Sequence, residues 1–297
     1  MAAALMLGTA CGNGHDGLKE QASEVLNTVL TDGQRWEKVH AAEFLIELGQ
    51  VARVRDVFMS ESDKNGDIPE YRIGIWRVLY KCAGEEERRA WQDSIHRAFV
   101  LPESPDRIHA VETLAKLEIP VEAADAEVVR SAMASDDYRL RFYTQWWAIP
   151  QLGNGAEELK GHLFQLIGSD GENPARKLAA YVLNEDRDIR FDTGEWQSLE
   201  SFAVSEPADS DVRLLLLAAV FSKVPADREH SGSFDNIEKL LLEYKYAAKP
   251  ELYQLCLALA RKGKTKYRDT LKPLLDHSDN DVKIAAAYAI TKIQDLK

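Results

Sequence analysis

Two copies of a histidine–glutamate pair carry the most specific chemistry in the sequence. Glu43 follows His40 by three residues, and Glu112 follows His109 by three residues. Residues three apart lie on one face of a helix. There a carboxylate can orient an imidazole as a general base or complete a metal site. We expect His40 and Glu43 to supply any acid–base catalysis. The alternative is that each histidine packs at a helix junction, tied to its own glutamate.

The 69-residue offset between the two pairs argues against one shared metal site. Neighbouring helices lie roughly 8–10 Å apart, so pairs separated by two helical hairpins are predicted to lie about 20 Å from each other. The other histidines show no metal-ligand spacing, and there is no Gly-rich phosphate loop, nucleophile elbow or zinc pattern. The sequence therefore predicts neither a metal nor a cofactor.

Aromatic and arginine side chains cluster in the first half of the chain, where five of the six tryptophans precede residue 150. Trp, Tyr and Arg dominate binding hot spots, and flat rings beside arginine suit sugars that carry carboxylate or sulfate groups. The candidate binding residues are Arg72, Trp76, Arg77, His109, Glu112, Arg141, Tyr143 and Trp147. Packing between helices is the other interpretation, and it is favoured for Trp76 and Trp146. Arg77, Arg141, Tyr143 and Trp147 lie off the core spacing and are predicted at the surface.

An internal repeat of about 35 residues positions these side chains. Each unit opens an apolar-periodic segment, usually with a basic residue. The basic residues are Lys38, Arg72, Arg107, Arg139, Arg176, Arg213 and Lys283, and the unit near Leu252 lacks one. A unit of this length holds two helices of three to four turns and two short turns. Eight such units are predicted over residues 30–297, and strand signals are nearly absent.

The pattern Asp-x-Arg followed by Ala-Ala-x-x-Leu resembles the HEAT-like repeats of the phycobilin-lyase type. Its clearest copy is Asp281-Val-Lys-Ile-Ala-Ala-Ala-Tyr-Ala-Ile290. The resemblance implies an all-α fold, an α-solenoid of about eight helical hairpins. It also implies that the basic residues pair with acidic residues of a neighbouring turn, and that alanines let helices approach closely. It says little about function.

A short apolar leader ends in small residues before Cys11 and resembles a bacterial lipoprotein signal, in which the cysteine is lipidated. The leader is short and has no basic n-region, so a frayed terminus with an incidental cysteine is the alternative. We predict a signal-like segment and tether over residues 1–17 and the solenoid over residues 18–297. The expected location is extracytoplasmic, lipid-anchored to the bacterial cell envelope. Cys82 and Cys256 are predicted to be buried thiols.

The net charge of −12, from 37 basic and 49 acidic residues, disfavours binding to nucleic acid or to an anionic membrane surface. Membrane contact is expected only through the lipid anchor. The first predicted function is a non-catalytic binding or scaffold protein, whose concave surface holds a protein partner or an extended ligand. The alternative is an extracytoplasmic protein that binds or degrades acidic glycans. There Arg72, Arg77 and Arg141 would hold the anion within the first four repeats.

Overall fold

The computed structural model is all-helical. It describes residues 14–152, 155–169, 171, 173–186, 188–246 and 250–293. These residues form sixteen α-helices and no strand, with 76% of the chain helical. The predicted all-α class is therefore confirmed. Cys11 and its predicted lipidation lie outside the described residues. Within the described ranges no helix combines the length and apolarity that a membrane crossing requires.

Eight helices form an inner ring in which each helix contacts the next and the last contacts the first. They are α2 (Trp36–Glu47), α4 (Tyr71–Cys82), α6 (Arg107–Lys116), α8 (Tyr138–Leu152), α10 (Ala175–Glu185), α12 (Asp211–Ser222), α14 (Leu252–Lys262) and α16 (Asn280–Lys292). All eight lie where the 35-residue periodicity predicts the first helix of a unit.

The other eight described helices lie outside this ring, and each packs on one or two inner helices. They are α1 (Gly14–Asp32), α3 (Val51–Asn65), α5 (Glu85–Val100), α7 (Ala126–Met133), α9 (Ala156–Ile167), α11 (Thr193–Ser205), α13 (Gly232–Glu243) and α15 (Arg268–Leu271). Short 3₁₀ helices adjoin three of them, at Ala123–Asp125, Tyr244–Tyr246, Thr265–Tyr267 and Lys272–Asp276.

The sequences of the inner helices explain their place in the ring. In α12 every residue from Leu214 to Phe221 is buried, and in α16 the same holds from Ile284 to Ile290. A helix that is apolar on nearly all sides must be covered from several directions, here by two inner neighbours and two outer helices. By contrast α5 buries only three residues, all within its last two turns. A narrow stripe of this kind suits a helix that is covered on one side.

The two ends of the chain meet at a seam where α16 packs against α1 and α2. The rings of Phe44 and Tyr288 stack with their centroids 4.4 Å apart. The hydroxyl of Tyr288 donates a hydrogen bond of 2.6 Å to Glu47, which lies 241 positions away in sequence. An open stack of repeats keeps its first and last members apart. The expected concave surface is therefore the inside of a closed ring.

The basic residues that open the repeat units, here called the ladder, were predicted to pair with acidic residues of a neighbouring turn. Some of them do. The ion pairs that join a basic residue to the next helix or turn are Lys38–Glu61, Arg72–Asp106 and Arg176–Glu206. Arg107 donates instead to the carbonyl oxygen of Phe99. Arg139 lies 3.9 Å from Asp137, at the start of its own helix. The ladder therefore connects neighbouring hairpins at only some of its positions.

The two described cysteines are free thiols, of which Cys256 is buried and Cys82 is half-buried. Burial raises the pKa of Cys82 to about 11. Both cysteines therefore serve as small packing residues.

Candidate functional site

The inner ring encloses a cavity of about 1590 Å³. All eight inner helices contribute to its wall, which combines charged, hydroxyl and aromatic side chains. Ligand pockets commonly have volumes of roughly 300–1,000 Å³, so this cavity has room for a ligand larger than a typical metabolite. Of the side chains that the sequence singled out, His40, Glu43, Glu112 and Trp147 line this wall, and we treat the cavity as the candidate site.

Helical periodicity explains how the polar residues reach the cavity. In α10 the lining residues Lys177, Tyr181 and Glu185 are four residues apart, and in α2 His40 and Glu43 are three apart. Such spacings place side chains on one face of a helix. The remaining faces are buried against the ring neighbours and the outer helices, so the polar stripe faces inward.

His40 hydrogen bonds to Asp281 rather than to Glu43. Its Nδ1 lies 2.8 Å from Oδ1 of Asp281, on α16, and the imidazole is half-buried. A ring nitrogen that donates to a carboxylate leaves the other nitrogen as an acceptor. Among the described residues Nε2 has no hydrogen-bond partner, and it remains accessible from the cavity. His40 and Asp281 therefore form a dyad whose free nitrogen can accept a proton.

Glu43 is held between two cations. Its Oε1 lies 2.7 Å from Nζ of Lys81, and its Oε2 accepts a hydrogen bond of 3.1 Å from the Arg77 guanidinium. Burial alone would raise the pKa of Glu43, but the positive charges of Arg77 and Lys81 outweigh it and hold that pKa well below its usual range. Glu43 is therefore a permanent anion at this wall and cannot serve as a proton donor.

Glu112 repeats this arrangement on α6, two inner helices further along. Its Oε1 lies 3.0 Å from Nζ of Lys116 and accepts a hydrogen bond of 3.4 Å from the hydroxyl of Tyr181. Burial opposes its charge, but Lys116, His109 and Arg77 together hold the pKa of Glu112 well below its usual range. Glu43 and Glu112 are therefore two ionised carboxylates that share three neighbouring cations, Arg77, Lys81 and Lys116.

Trp36 joins the two predicted histidines. Its ring centroid lies 6.3 Å from that of His40 and 5.1 Å from that of His109. The two imidazoles are therefore within about 12 Å of each other, and the expected separation of about 20 Å is wrong. The reason is a close approach at Gly74 on α4, where a Cβ atom would lie 3.1 Å from the Trp36 ring. The absent side chain lets Trp36 cross α4 to reach α6.

Tyr253 lies beside the dyad, with its ring centroid 5.9 Å from that of His40. No described residue hydrogen bonds to its hydroxyl, which remains accessible. Burial and the negative charges of Glu185, Glu43 and Asp281 raise the pKa of Tyr253 well above its usual value. The phenol is therefore protonated and able to donate.

Several of the predicted binding residues lie away from the cavity surface. Arg72 pairs with Asp106 and lies over the ring of Trp76. Arg141 donates to the carbonyl oxygen of Ser135. The three arginines expected to hold an anion do not converge on the cavity.

The predicted surface positions of Arg77 and Trp147 are wrong, since their exposed fractions are 1% and 2%. The guanidinium of Arg77 is buried because it pairs with Glu43. The indole of Trp147 is buried and donates to the carbonyl oxygen of Ile119 at 2.6 Å. Tyr143 is half-buried, and burial together with the charge of Glu112 raises its pKa. It lies close to the cavity wall without lining it.

Sequence reasoning missed five residues of the site: Lys81, Lys116, Tyr181, Tyr253 and Asp281. A signal was present for Lys116, because His109, Glu112 and Lys116 fall at positions i, i+3 and i+7 of one helical face. Arg77 and Lys81 form a similar polar stripe on α4. Asp281 had no local signal, because only the closure of the ring brings it to His40.

One group outside the cavity has metal-ligating side chains. Ligand atoms of His96, Glu122 and Asp125 lie within 4.8 Å of one another. Nε2 of His96 is 2.5 Å from Oδ2 of Asp125, which joins α5 to the 3₁₀ helix before α7. These residues have the chemistry to hold a divalent cation, but the histidine and aspartate already satisfy each other.

We compared the chain with protein-family models, with curated proteins and with solved structures, and none of them matched. The resemblance to HEAT-like repeats therefore rests on the sequence pattern alone.

Proposed function

We propose that this chain is a binding protein that holds an extended polar ligand inside a ring of eight HEAT-like hairpins. The observation that carries the proposal is the cavity of about 1590 Å³, to which every inner helix contributes. A scaffold for a folded protein needs an open concave surface, whereas here the concave surface faces the inside of a ring. The interior suits an oligosaccharide or a peptide segment better than a folded domain. Binding alone requires no chemistry from the chain.

A glycan is the ligand class that the lining favours. Phe44, Trp146, Tyr253 and Tyr288 present aromatic surface to the cavity beside hydrogen-bonding side chains. Pockets that orient a ligand combine apolar and aromatic walls with a few well-placed polar groups. Lys81 and Lys116 supply the positive charge for an acidic sugar. The protein would then be a glycan-binding or glycan-degrading protein.

A thermal-shift experiment tests the binding proposal. The full-length chain is heated with oligomers of galacturonate, glucose and alanine in turn. A ligand present at about 100 times its Kd should stabilise the fold by about 2.7 kcal/mol. We expect a shift with an oligosaccharide that decreases in Lys116→Gln. The matched control, Lys239→Gln, changes an exposed lysine of α13 away from the cavity and should keep the full shift.

The absence of a shift with all three ligand classes would contradict binding in the cavity. An equal loss of the shift in Lys116→Gln and Lys239→Gln would place the ligand elsewhere on the molecule.

We further propose that the protein is exported and anchored to the cell envelope through a lipid on Cys11. The support for this location is the leader sequence described above. Labelling of expressing bacteria with a radioactive fatty acid should mark the wild-type chain and leave Cys11→Ser unlabelled. Equal labelling of both chains, or of neither, would contradict a lipid on Cys11.

A further inference from the structure

We infer that the cavity is an acid–base active site for β-elimination on uronate-containing glycans, with His40 as the proton acceptor and Tyr253 as the proton donor. The inference goes beyond binding, and it rests on the proposal that the ligand is a glycan. It is carried by the geometry of the dyad, by the free hydroxyl of Tyr253 and by the charges on the neighbouring wall.

The surroundings of His40 make it a base. Asp281 on α16 accepts from Nδ1 at 2.8 Å, which fixes the tautomer with Nε2 as the acceptor. Glu43 on its own helix and Tyr253 on α14 also lie close to the imidazole. Trp36 packs at 6.3 Å and helps to fix the plane of the ring. An imidazole that is oriented by a carboxylate and open to a cavity is the usual arrangement of a general base.

Tyr253 lies on the same side of the cavity as His40, where it can donate a proton to the leaving group. Its ring centroid lies 5.9 Å from that of His40, so one sugar ring can contact both side chains. Its hydroxyl has no partner among the described residues, which leaves its proton available to a leaving oxygen.

Glu43 and Glu112 are poorly suited to the acid role in glycoside hydrolysis. Hydrolysis normally uses two carboxyl groups, one of them protonated so that it can act as an acid. Glu43 and Glu112 are both held ionised by ion pairs with lysine or arginine. Elimination requires a base and an acid but no protonated carboxyl group, and His40 with Tyr253 meets that requirement.

Lys81 and Lys116 supply the third requirement of an elimination, which is neutralisation of the substrate carboxylate. Each ammonium has three N–H donors. Lys81 contacts Glu43 at 2.7 Å, and Lys116 contacts Glu112 at 3.0 Å. Both side chains line the cavity, so the remaining donors can reach a ligand. Arg77 adds a third positive charge beside Glu43, while the cavity lining as a whole carries more acidic than basic side chains. A neutralised carboxylate makes the adjacent C–H bond more acidic.

The step balances without an added reactant. Nε2 of His40 takes the proton from C5 of the uronate, next to its carboxylate. The C–H electron pair forms the C4=C5 double bond, and the C4–O4 bond breaks. The leaving oxygen takes the phenolic proton of Tyr253. The products are an unsaturated uronate and a free sugar hydroxyl, and solvent returns the proton from His40 to Tyr253.

The ultraviolet absorbance of the conjugated product tests the inference with the full-length chain. The probes are polygalacturonate, alginate and hyaluronan, with neutral amylose as the negative substrate. We expect absorbance to grow with a polyuronate and not with amylose. His40→Asn and Tyr253→Phe should each lower the rate by about 10²-fold or more while retaining thermal stabilisation by the polymer. The matched control is Lys239→Gln, which changes an exposed lysine of α13 away from the cavity and should leave the rate unchanged.

Asp281 is a positioning residue, and its test is the split between kcat and KM. In Asp281→Asn the imidazole of His40 loses the carboxylate that fixes its tautomer and orientation. We expect kcat to fall while KM is unchanged, whereas a general structural role would change KM as well. If His40→Asn fails to fold, His40→Gln replaces it in the assay.

Three results would overturn the inference. The first is the absence of unsaturated product from all three polyuronates. The second is full activity in both His40→Asn and Tyr253→Phe. The third is release of reducing ends without unsaturated product, which would indicate hydrolysis. If a polyuronate stabilises the chain but is not cleaved, the proposed binding function stands and only the elimination is lost.

Discussion

The carboxylate of Glu43 neutralises the buried guanidinium of Arg77. Arg77 is 1% exposed, and its side-chain partners are Glu43 at 3.1 Å and Thr113 at 3.4 Å. Removing one partner of a buried pair leaves an uncompensated charge, which costs about 3–5 kcal/mol. We therefore expect Glu43→Gln to lower the free energy of unfolding by about this amount, measured by urea denaturation.

Glu127→Gln is the matched control for this change. Glu127 pairs with Arg130 at 2.5 Å, but both side chains are mostly exposed. Exposed pairs contribute about 0–1 kcal/mol, so the control should unfold close to the wild-type midpoint. If Glu43→Gln also matched the wild type, the buried ion-pair network would not stabilise the fold.

The same network predicts how stability depends on pH. The pKa of Glu43 is lower in the folded chain than the ordinary value of 4.5, and the pKa of Glu112 is lowered likewise. Such groups stabilise the fold fully above their unfolded pKa, and this contribution is lost as pH falls through the folded value. The urea midpoint should therefore fall steeply below about pH 4.5. Glu43→Gln should show a shallower fall, and an identical slope in both chains would contradict the prediction.

At this scale the spacing of His40 and Glu43 correctly predicted that they share one helix face, and His40, Glu43 and Glu112 line the cavity. The partner of His40 could not be predicted, because spacing rules connect residues only three or four positions apart. Asp281 is 241 positions away.

Gly74 sets the distance between α2 and α4. A Cβ atom at this position would lie 2.7 Å from Cγ2 of Val39 and 3.1 Å from the Trp36 ring. Gly74→Ala must therefore move one helix or rotate Trp36, and overpacking of this kind costs about 1–3 kcal/mol. We expect a lower unfolding midpoint and altered tryptophan fluorescence.

Gly161 in α9 is the matched control for Gly74. A Cβ atom there would meet nothing within 4 Å. Alanine in an open helical position stabilises by roughly 0.5–1 kcal/mol relative to glycine, so Gly161→Ala should raise the midpoint. If Gly74→Ala and Gly161→Ala both raised the unfolding midpoint, the close approach at Gly74 would not restrict the side chain at that position.

The elements themselves were largely predictable. The 35-residue periodicity located all eight inner helices, including α14, whose unit lacks the basic residue. The closure of the ring was not predictable. The rotation from one hairpin to the next is small and accumulates along the chain. The length of the repeat in the sequence does not specify this rotation angle. The same period is compatible with an open arc and with a ring.

Closure makes the two ends of the chain depend on each other. Tyr288 on α16 stacks on Phe44 at 4.4 Å and donates to Glu47 at 2.6 Å, both on α2. Tyr288→Ala removes both contacts. We therefore expect faster hydrogen exchange in α2 and α1 as well as in α16, measured by mass spectrometry.

Tyr138→Ala is the control for the seam, because Tyr138 is 36% exposed and lies on α8. It should leave exchange in α1 and α2 unchanged. Faster exchange confined to α14 and α16 in Tyr288→Ala would indicate that the seam does not stabilise the first hairpin.

The inner helices α2 and α16 run in the same direction at the seam. His40 meets Asp281 near their amino ends, and Tyr288 meets Glu47 toward their carboxyl ends. Each helix has a macrodipole, positive at its amino end, so the two dipoles point the same way instead of cancelling. The seam therefore has two chemically different ends, and a chain-like ligand that lies along it should bind in a single direction.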